Sequence, residues 1–343
     1  MTDPPHISVL MPVYNCEQYV HDAVKSILNQ SYTNYELLIV DDASTDTTVS
    51  IIKSFTDSRI QLIEKPKNTG YTNSLNQGIF MCKGKYIARM DGDDISLPER
   101  FAKQVEFMDA NPEVVVCGTT YKYFGNPKTI TIPETHDAIK IGLLWGNCLA
   151  HPSVMIRKEA LHQFSTPYDT NKEPAEDYDL WVKLLNVGKL HNLPETLIEY
   201  RTYSLQVSRK RAEEQRINDV ETRFKIHNYL NIEWTTIERE FLERYFKRTE
   251  AIKFEELDVF KQIQNKLADA NHTGFFESHL FKQYLIDLEI DVLRKCFLKQ
   301  TRYTPLLYFE YLKSKLEYGA KLPLKRELKL GLKSLFFWTT MRP

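Results

Sequence analysis

Four short apolar runs, each followed by a segment of helical spacing or a turn, restrict the folds open to this chain. Residues 7–13, 36–40, 60–64 and 86–90 have the length and bulk of strands. After the first run, Val20, Ala23, Val24, Ile27 and Leu28 fall on one helical face. Ser44 and Thr45 suit the cap of a second helix reaching about Phe55, and the turn Asn68-Thr69-Gly70 precedes a third that reaches about Cys82. Such alternation predicts an α/β fold, a Rossmann-like, mostly parallel sheet with helices on both faces. Ligands of open sheets bind beyond the carboxyl ends of the strands. Three of those ends carry polar residues here, at 12–15, at Asp41-Asp42 and at Asp91-Gly92-Asp93-Asp94, so one sheet edge is expected to hold a site.

The third of these ends is the most specific. An apolar run stops abruptly in three carboxylates around Gly92, which is expected to let the backbone turn so that Asp91 and Asp93 face one ion. Carboxylate oxygens are hard ligands suited to magnesium or manganese. A cation held by one or two carboxylates completes its shell with water and substrate phosphates, so a nucleoside diphosphate is the natural guest. The competing reading is a solvated loop that caps the helix beginning near Pro98.

Downstream, helical spacing from Pro98-Glu99-Arg100 stops at Asn111-Pro112, and 113–118 reads as a strand. The stretch 119–149 is less regular, and 151–157 reads as a further strand. Residues 176–185 look like a helix opened by acids, which suits the positive end of its dipole, with Gly188 as its stop. After Tyr200-Arg201 the composition shifts to long, charged, helix-forming segments. The expected division is therefore 1–210 for a nucleotide-binding α/β domain and 211–343 for a helical region. Phe281, Tyr284, Leu285, Leu288 and Val292 suggest packed helices in the latter. Its last segment, 321–343, combines lysines, arginine, leucines and aromatics, and reads equally as a peripheral membrane contact or as a helix docked on its own domain.

A net charge of -1 with 27% charged residues argues against a nucleic-acid binder. The 5 cysteines are scattered without a C-x-x-C pair, which points to a reducing, cytoplasmic setting. No basic-then-apolar leader precedes the first strand, and no run of about 20 apolar residues predicts a membrane span.

Taken in order, the motifs resemble the inverting family 2 glycosyltransferases of the GT-A fold, over about residues 6–208. The likeness rests on Pro12-Val13-Tyr14-Asn15, Glu17, 26–30, 41–46, Asn68-Thr69-Gly70, Asn76-Gln77-Gly78, Asp91-Gly92-Asp93-Asp94, 151–157 and 176–181. The resemblance implies that Pro12, Val13, Tyr14 and Glu17 form a nucleotide-cradling turn, with the Tyr14 ring on the base. It implies that Asp41 accepts a hydrogen bond from the base, and that Asn68, Gly70 and Asn76 lie against ribose and diphosphate. Asp93 would be the direct metal ligand, with Asp91 and Gly92 beside it at the ribose or behind the metal. Asp177 corresponds to the general base, and Glu176 to a residue that orients rather than reacts. The cofactor implied is Mn2+ or Mg2+, the donor a nucleotide-diphosphate sugar, with UDP first, and the acceptor a glycan or lipid-linked glycan. The implied setting is bacterial polysaccharide or cell-envelope synthesis; the expected place is the cytoplasm, or the inner face of the cell membrane should the basic end at 321–343 dock there.

Each assignment has a plainer competitor. Tyr14 can pack under the sheet edge, Asp41 can cap a helix and Asp177 can stabilise a helix start. His151 and Arg157 are second-rank contacts, and Trp181 is either an acceptor-side wall or core. One departure stands out. Relatives often carry Tyr-Arg-x-His where this chain has Tyr200-Arg201-Thr202-Tyr203, although Gln206 and Ser208 persist. A phenol is a poorer neutral metal ligand than imidazole, so the alternative is a catalytically inactive binding or scaffold protein of the same fold. A nucleotidyltransferase would want a glycine-rich basic loop at residues 14–17, which this chain lacks, and a glycoside hydrolase would need no nucleotide.

Overall fold

The computed structural model describes residues 4–203, 206, 210–247, 252–300, 302–319 and 321–339. The chain divides after Arg223 into two compact units. Ser208 and the first three residues lie outside the described residues.

The first unit is built on a nine-stranded sheet. Its strands are β1 (Ile7–Val13), β2 (Tyr35–Asp41), β3 (Ile60–Glu64), β4 (Tyr86–Arg89), β5 (Ile95–Ser96), β6 (Val114–Tyr123), β7 (Thr129–Ile130), β8 (Met155–Arg157) and β9 (Lys189–Tyr200). The order is β3-β2-β1-β4-β8-β6-β9-β5, with β7 paired to β6. The β3-β2-β1-β4 half is parallel, and β8 joins it antiparallel to both β4 and β6. Every residue of β1, β2 and β4 is buried, as expected of interior parallel strands covered on both faces. One polar pair inside these strands is satisfied internally, because the Ser8 hydroxyl donates to Glu36 Oε1 at 2.5 Å.

Helices α1 (Val20–Leu28), α2 (Thr48–Lys53), α3 (Tyr71–Met81) and α4 (Arg100–Ala110) follow the strands in the alternation read from the sequence. Then come α5 (His136–Trp145), α6 (Lys158–Leu161) and α7 (Glu176–Leu184). Arg100 is fully buried, and its guanidinium donates to the carbonyls of Arg89 at 2.8 Å and Val154 at 3.1 Å. It thereby ties α4 to the β4 end that carries the acidic turn.

Several readings need correction. The stretch 151–157 is a strand only at Met155–Arg157; His151–Ser153 forms a 3-10 turn, where Pro152 lacks the N–H a strand needs. The irregular middle contains α5 and the far end of β6, and β9 was missed because its Pro194 and its alternating exposure break the apolar run. Gly92 is not a left-handed turn residue. It is needed for space, since a Cβ there would stand 2.9 Å from Val13 Cγ1 and 3.1 Å from Cys16 Sγ.

The remaining helices are α8 (Ala212–Asn228), α9 (Thr236–Lys247), α10 (Leu257–Ala270), α11 (Ser278–Leu293), α12 (Pro305–Tyr318) and α13 (Leu324–Leu335). In the second unit α9, α10 and α11 bury Phe241, Ile263, Leu267, Phe281, Tyr284 and Leu288, which bears out the packed-helix expectation. Among the described residues no helix is long and apolar enough to cross a membrane.

Candidate active site

Strand register puts the polar ends on one edge. Val13 is level with Asp41 and Leu10 with Arg89, so the chain leaves β1, β2 and β4 on the same side of the sheet. A cleft of about 620 Å³ opens there. Its lining includes Pro12, Val13, Tyr14, Asn68, Gly70, Asp91, Gly92, Asp93, Glu176 and Asp177, so the structure brings ten of the thirteen sequence-predicted site residues together. The exceptions are Glu17, Asp41 and Asn76.

The Tyr14 ring is 48% exposed, which removes the reading that it packs under the sheet edge. Asp41 is buried, next to Asp42, which lines the cleft. One of its oxygens accepts from Ser44 N at 3.0 Å, while Oδ1 is buried without a partner, an acceptor that an imide N–H would satisfy. Its neighbour Asp42 is fully engaged, by Lys65 at 2.5 Å and by the amides of Thr69 at 3.0 Å and Gly70 at 2.9 Å. Asp42 therefore fixes the Asn68-Gly70 turn against the end of β2. Gly70 has φ of 90°, and a Cβ there would stand 3.3 Å from Glu173 Oε2. Asn76 has a structural role: its amide spans the Tyr168 backbone, donating to the carbonyl at 2.8 Å and accepting from the N–H at 3.0 Å. Glu17 likewise turns away, its carboxylate accepting from the Thr47 amide at 2.9 Å at the start of α2.

At the end of β4, oxygens of Asp91, Asp93 and Asp94 lie within 4.8 Å of one another. Asp94 is buried; one oxygen accepts from Arg201 N at 2.8 Å and the other has no partner. Burial and the neighbouring charges push Asp93 and Asp94 above the usual carboxylate range. A hard divalent cation fits this set, since it would satisfy the unpartnered oxygen and neutralise crowded charge. Asp91 also pairs with the buried guanidinium of Arg89. The Tyr203 hydroxyl donates to Asp93 Oδ2 at 2.8 Å, so the residue at the departure position reaches the acidic turn.

Glu176 and Asp177 open α7 on another wall of the cleft. Asp177 accepts from Asn147 Nδ2 at 2.7 Å and from Tyr178 N at 2.7 Å. Burial, its dominant cause, raises its pKa. Glu176 is buried, accepts from the Tyr71 hydroxyl at 2.5 Å and stands 3.8 Å from His151 Nδ1. Burial also raises Glu176, with the Asp177 charge adding to it, and the same burial holds His151 neutral. His151 lines the cleft and bonds to the Tyr168 hydroxyl through Nε2 at 2.8 Å. Arg157 does not reach the cleft; it donates to the carbonyls of Met108 at 3.0 Å and Val114 at 3.3 Å. Trp181 is core, edge-on to the His151 ring at 5.8 Å.

Sequence reasoning missed Arg89, Tyr71, Asn147, Glu173 and Arg211, all of which line the cleft. Arg89 had a signal: a charge interrupting an apolar strand, two residues before Asp91 and so on the same side of the chain. Arg211 pairs with Glu173 at 2.6 Å, and both come from segments without a readable motif.

Comparison with known proteins gives the family and the fold. Residues 8–166 match the family described as Glycosyl transferase family 2. An uncharacterized glycosyltransferase of Haemophilus influenzae is 32% identical over 248 residues, covering 67% of this chain and 76% of that protein. The O-antigen biosynthesis glycosyltransferase WbnJ of Escherichia coli is 34% identical over 209 residues, 58% of this chain and 80% of WbnJ. Among solved structures, S. aureus TarS 1-349 in complex with UDP-GlcNAc aligns over 91% of this chain and 89% of its own, with TM-score 0.57 and 19% identity. The mannosyltransferase PcManGT of Pyrobaculum calidifontis, in complex with GDP-Man and Mn2+, aligns over 87% and 89%, with TM-score 0.52 and 16% identity. At those identities the two structures speak for the fold, which is GT-A-like with a helical C-terminal region.

Proposed function

The chain belongs to glycosyltransferase family 2, and from that premise we propose that it transfers a sugar from a nucleotide-diphosphate sugar to an acceptor hydroxyl. The donor nucleotide is UDP, the acceptor is a glycan or lipid-linked glycan, and the anomeric carbon inverts in a single displacement. The observation that carries this reading is one cleft lined by two separate acidic groups, Asp91 and Asp93 after β4 and Glu176 with Asp177 at the start of α7. A displacement needs both, one set where the leaving diphosphate collects charge and one where the attacking hydroxyl sheds its proton.

On the donor side, Tyr14 stacks on the base, Asp41 Oδ1 takes its imide N–H, and Pro12, Val13, Asn68 and Gly70 shape the wall around ribose and diphosphate. Asp93 and Asp91 hold Mn2+ or Mg2+. That ion supplies Lewis-acid stabilisation of charge on the departing diphosphate. On the acceptor side, Asp177 takes the hydroxyl proton; its raised pKa brings its proton affinity closer to neutral working pH. Asn147 holds the Asp177 carboxylate by its second oxygen, and Glu176, bound to Tyr71, orients the helix start. Residues 1–210 carry the reaction, with Arg211 and Gln215 completing the cleft lining, and the rest of 211–343 serves placement. The name of WbnJ and the 5 free cysteines support a polysaccharide role on the cytoplasmic side of the cell envelope.

The test is calorimetric titration of UDP with Mn2+, with EDTA, and with Mn2+ after Asp93→Ala. Binding that needs the metal and is lost in the variant is the expected result; no UDP binding under any condition overturns the UDP reading. The hydrogen bond from Tyr203 to Asp93 favours a second reading, an inactive scaffold in which a phenol occupies the metal side of the cleft. Metal-dependent release of UDP from a donor sugar separates the two.

A further inference from the structure

Helix α13 docks by a narrow stripe and leaves an apolar side in solvent. Leu330 and Ser334, one turn apart, are buried, whereas Leu324 (72% exposed), Leu328, Leu332 and Leu335 form an exposed row along the helix. Lys325 and Lys329, one turn apart and both exposed, run beside that row, with exposed Arg326 next to them and Lys333 continuing the line. Beyond the helix end, Phe336 (70% exposed), Phe337 and Trp338 also face solvent.

Helix α12 extends the surface. It meets α13 where the Tyr308 ring passes 3.5 Å from the Cβ position of Gly331 and where Lys315 pairs with Glu327 at 2.7 Å. Among the described side chains of α12, Tyr311 and Ser314 are buried, while the apolar Leu306, Phe309, Leu312 and Leu316 (88% exposed) are exposed. Folded domains rarely leave an apolar area this continuous in water without a use for it.

We propose that this face is a docking surface for an anionic lipid bilayer, the leucine row and aromatic tip entering the boundary between headgroups and acyl chains while the basic row meets lipid phosphates. The pattern of charge selects a bilayer over a second copy of the chain. A two-fold contact buries the same patch of both copies, so it would gather two sets of Lys325, Arg326 and Lys329 into one interface. The acid that α13 offers, Glu327, is already paired with Lys315. A bilayer rich in anionic headgroups supplies both an apolar phase and countercharge, and Trp and basic side chains are the residues that anchor at its interface. The inference does not rest on the transfer reaction, since binding can be measured without a donor.

The experiment is flotation of the full chain with vesicles of phosphatidylcholine alone, and of phosphatidylcholine mixed with phosphatidylglycerol, at low and raised salt. The expected result is flotation with the anionic vesicles, release by salt, a blue shift of emission that is lost in Trp338→Phe, and little binding to the neutral ones. Leu328→Glu with Leu332→Glu abolishes flotation; because both side chains are exposed, the circular dichroism and melting midpoint stay as in the parent. Lys325→Gln with Lys329→Gln is the second variant, which leaves the apolar row intact and lowers partitioning about fivefold per charge. Absence of flotation with anionic vesicles overturns the proposal, as does equal, salt-insensitive binding to both vesicle types. A concentration-dependent dimer broken by the leucine variant, without lipid binding, also overturns it and assigns the face to self-association.

Discussion

Asp177 accepts two hydrogen bonds, which favour its charged form, yet burial outweighs them and its pKa rises. A general base works only when deprotonated, so kcat is expected to rise with pH through an acid limb displaced upward from the ordinary aspartate value of about 3.9. Asp177→Asn is expected to lower kcat by about 10²- to 10⁴-fold and leave UDP affinity unchanged, as read by calorimetry beside a product assay. Glu176 titrates with the opposite benefit. Its folded-state pKa lies above the unfolded one through burial, so its favourable contribution to stability is present below about pH 4 and is lost as pH rises through the folded value. Glu176→Gln keeps an oxygen for the Tyr71 hydroxyl and never ionises. Thermal melts should therefore show the variant more stable than the parent at alkaline pH, by on the order of 1 kcal/mol, with the gap closing toward acid. Tyr203 is the third residue whose chemistry can be read directly. Its hydroxyl occupies Asp93 Oδ2, whereas an imidazole there would be a good neutral ligand. Tyr203→His should tighten Mn2+ in the UDP complex about tenfold, a gain of roughly 1.4 kcal/mol, and weaker Mn2+ binding in the variant would remove the phenol as the limit on metal affinity.

At the level of elements, what could be read depended on how completely each one is buried. Strands β1, β2 and β4 showed in the sequence as unbroken apolar runs because both their faces are covered, and their polar ends announced the cleft. Strands β5 and β7 are only two residues long, and β9 mixes buried and exposed positions, so none offers a periodic signal. Asn147, Glu173 and Arg211 stayed hidden because distant segments bring them to the cleft, at contacts that no local spacing encodes. Asn76 shows the converse error: its motif was legible while its task, holding the Tyr168 backbone, was not. Gly92→Ala tests how tightly the ends of β1 and β4 are coupled. The new methyl would meet Val13 Cγ1 at 2.9 Å and Cys16 Sγ at 3.1 Å, on the strand end that carries Tyr14. Calorimetry should find UDP binding weakened at least tenfold and melts should find a loss of about 1–3 kcal/mol; unchanged UDP affinity would disconnect the glycine's packing from the donor site.

For the whole molecule, the division after Arg223 makes a claim about cooperativity. Every residue that lines the cleft lies at or before Gln215, so the UDP and metal proposed for it would contact the first unit alone. A ligand stabilises what it binds by mass action, about 2.7 kcal/mol at a hundred times its dissociation constant, and only those parts that unfold together share the gain. The second unit has its own buried aromatics and aliphatics on α9, α10 and α11, enough for a transition of its own. Scanning calorimetry is therefore expected to resolve two transitions, of which saturating UDP with Mn2+ moves one upward and leaves the other in place. EDTA should return the moved transition to its ligand-free position if, as proposed, the diphosphate is held through an ion at Asp93 and Asp91. A single transition that moves as a whole would mean that the two units unfold as one, and would overturn the reading of two separate cooperative units.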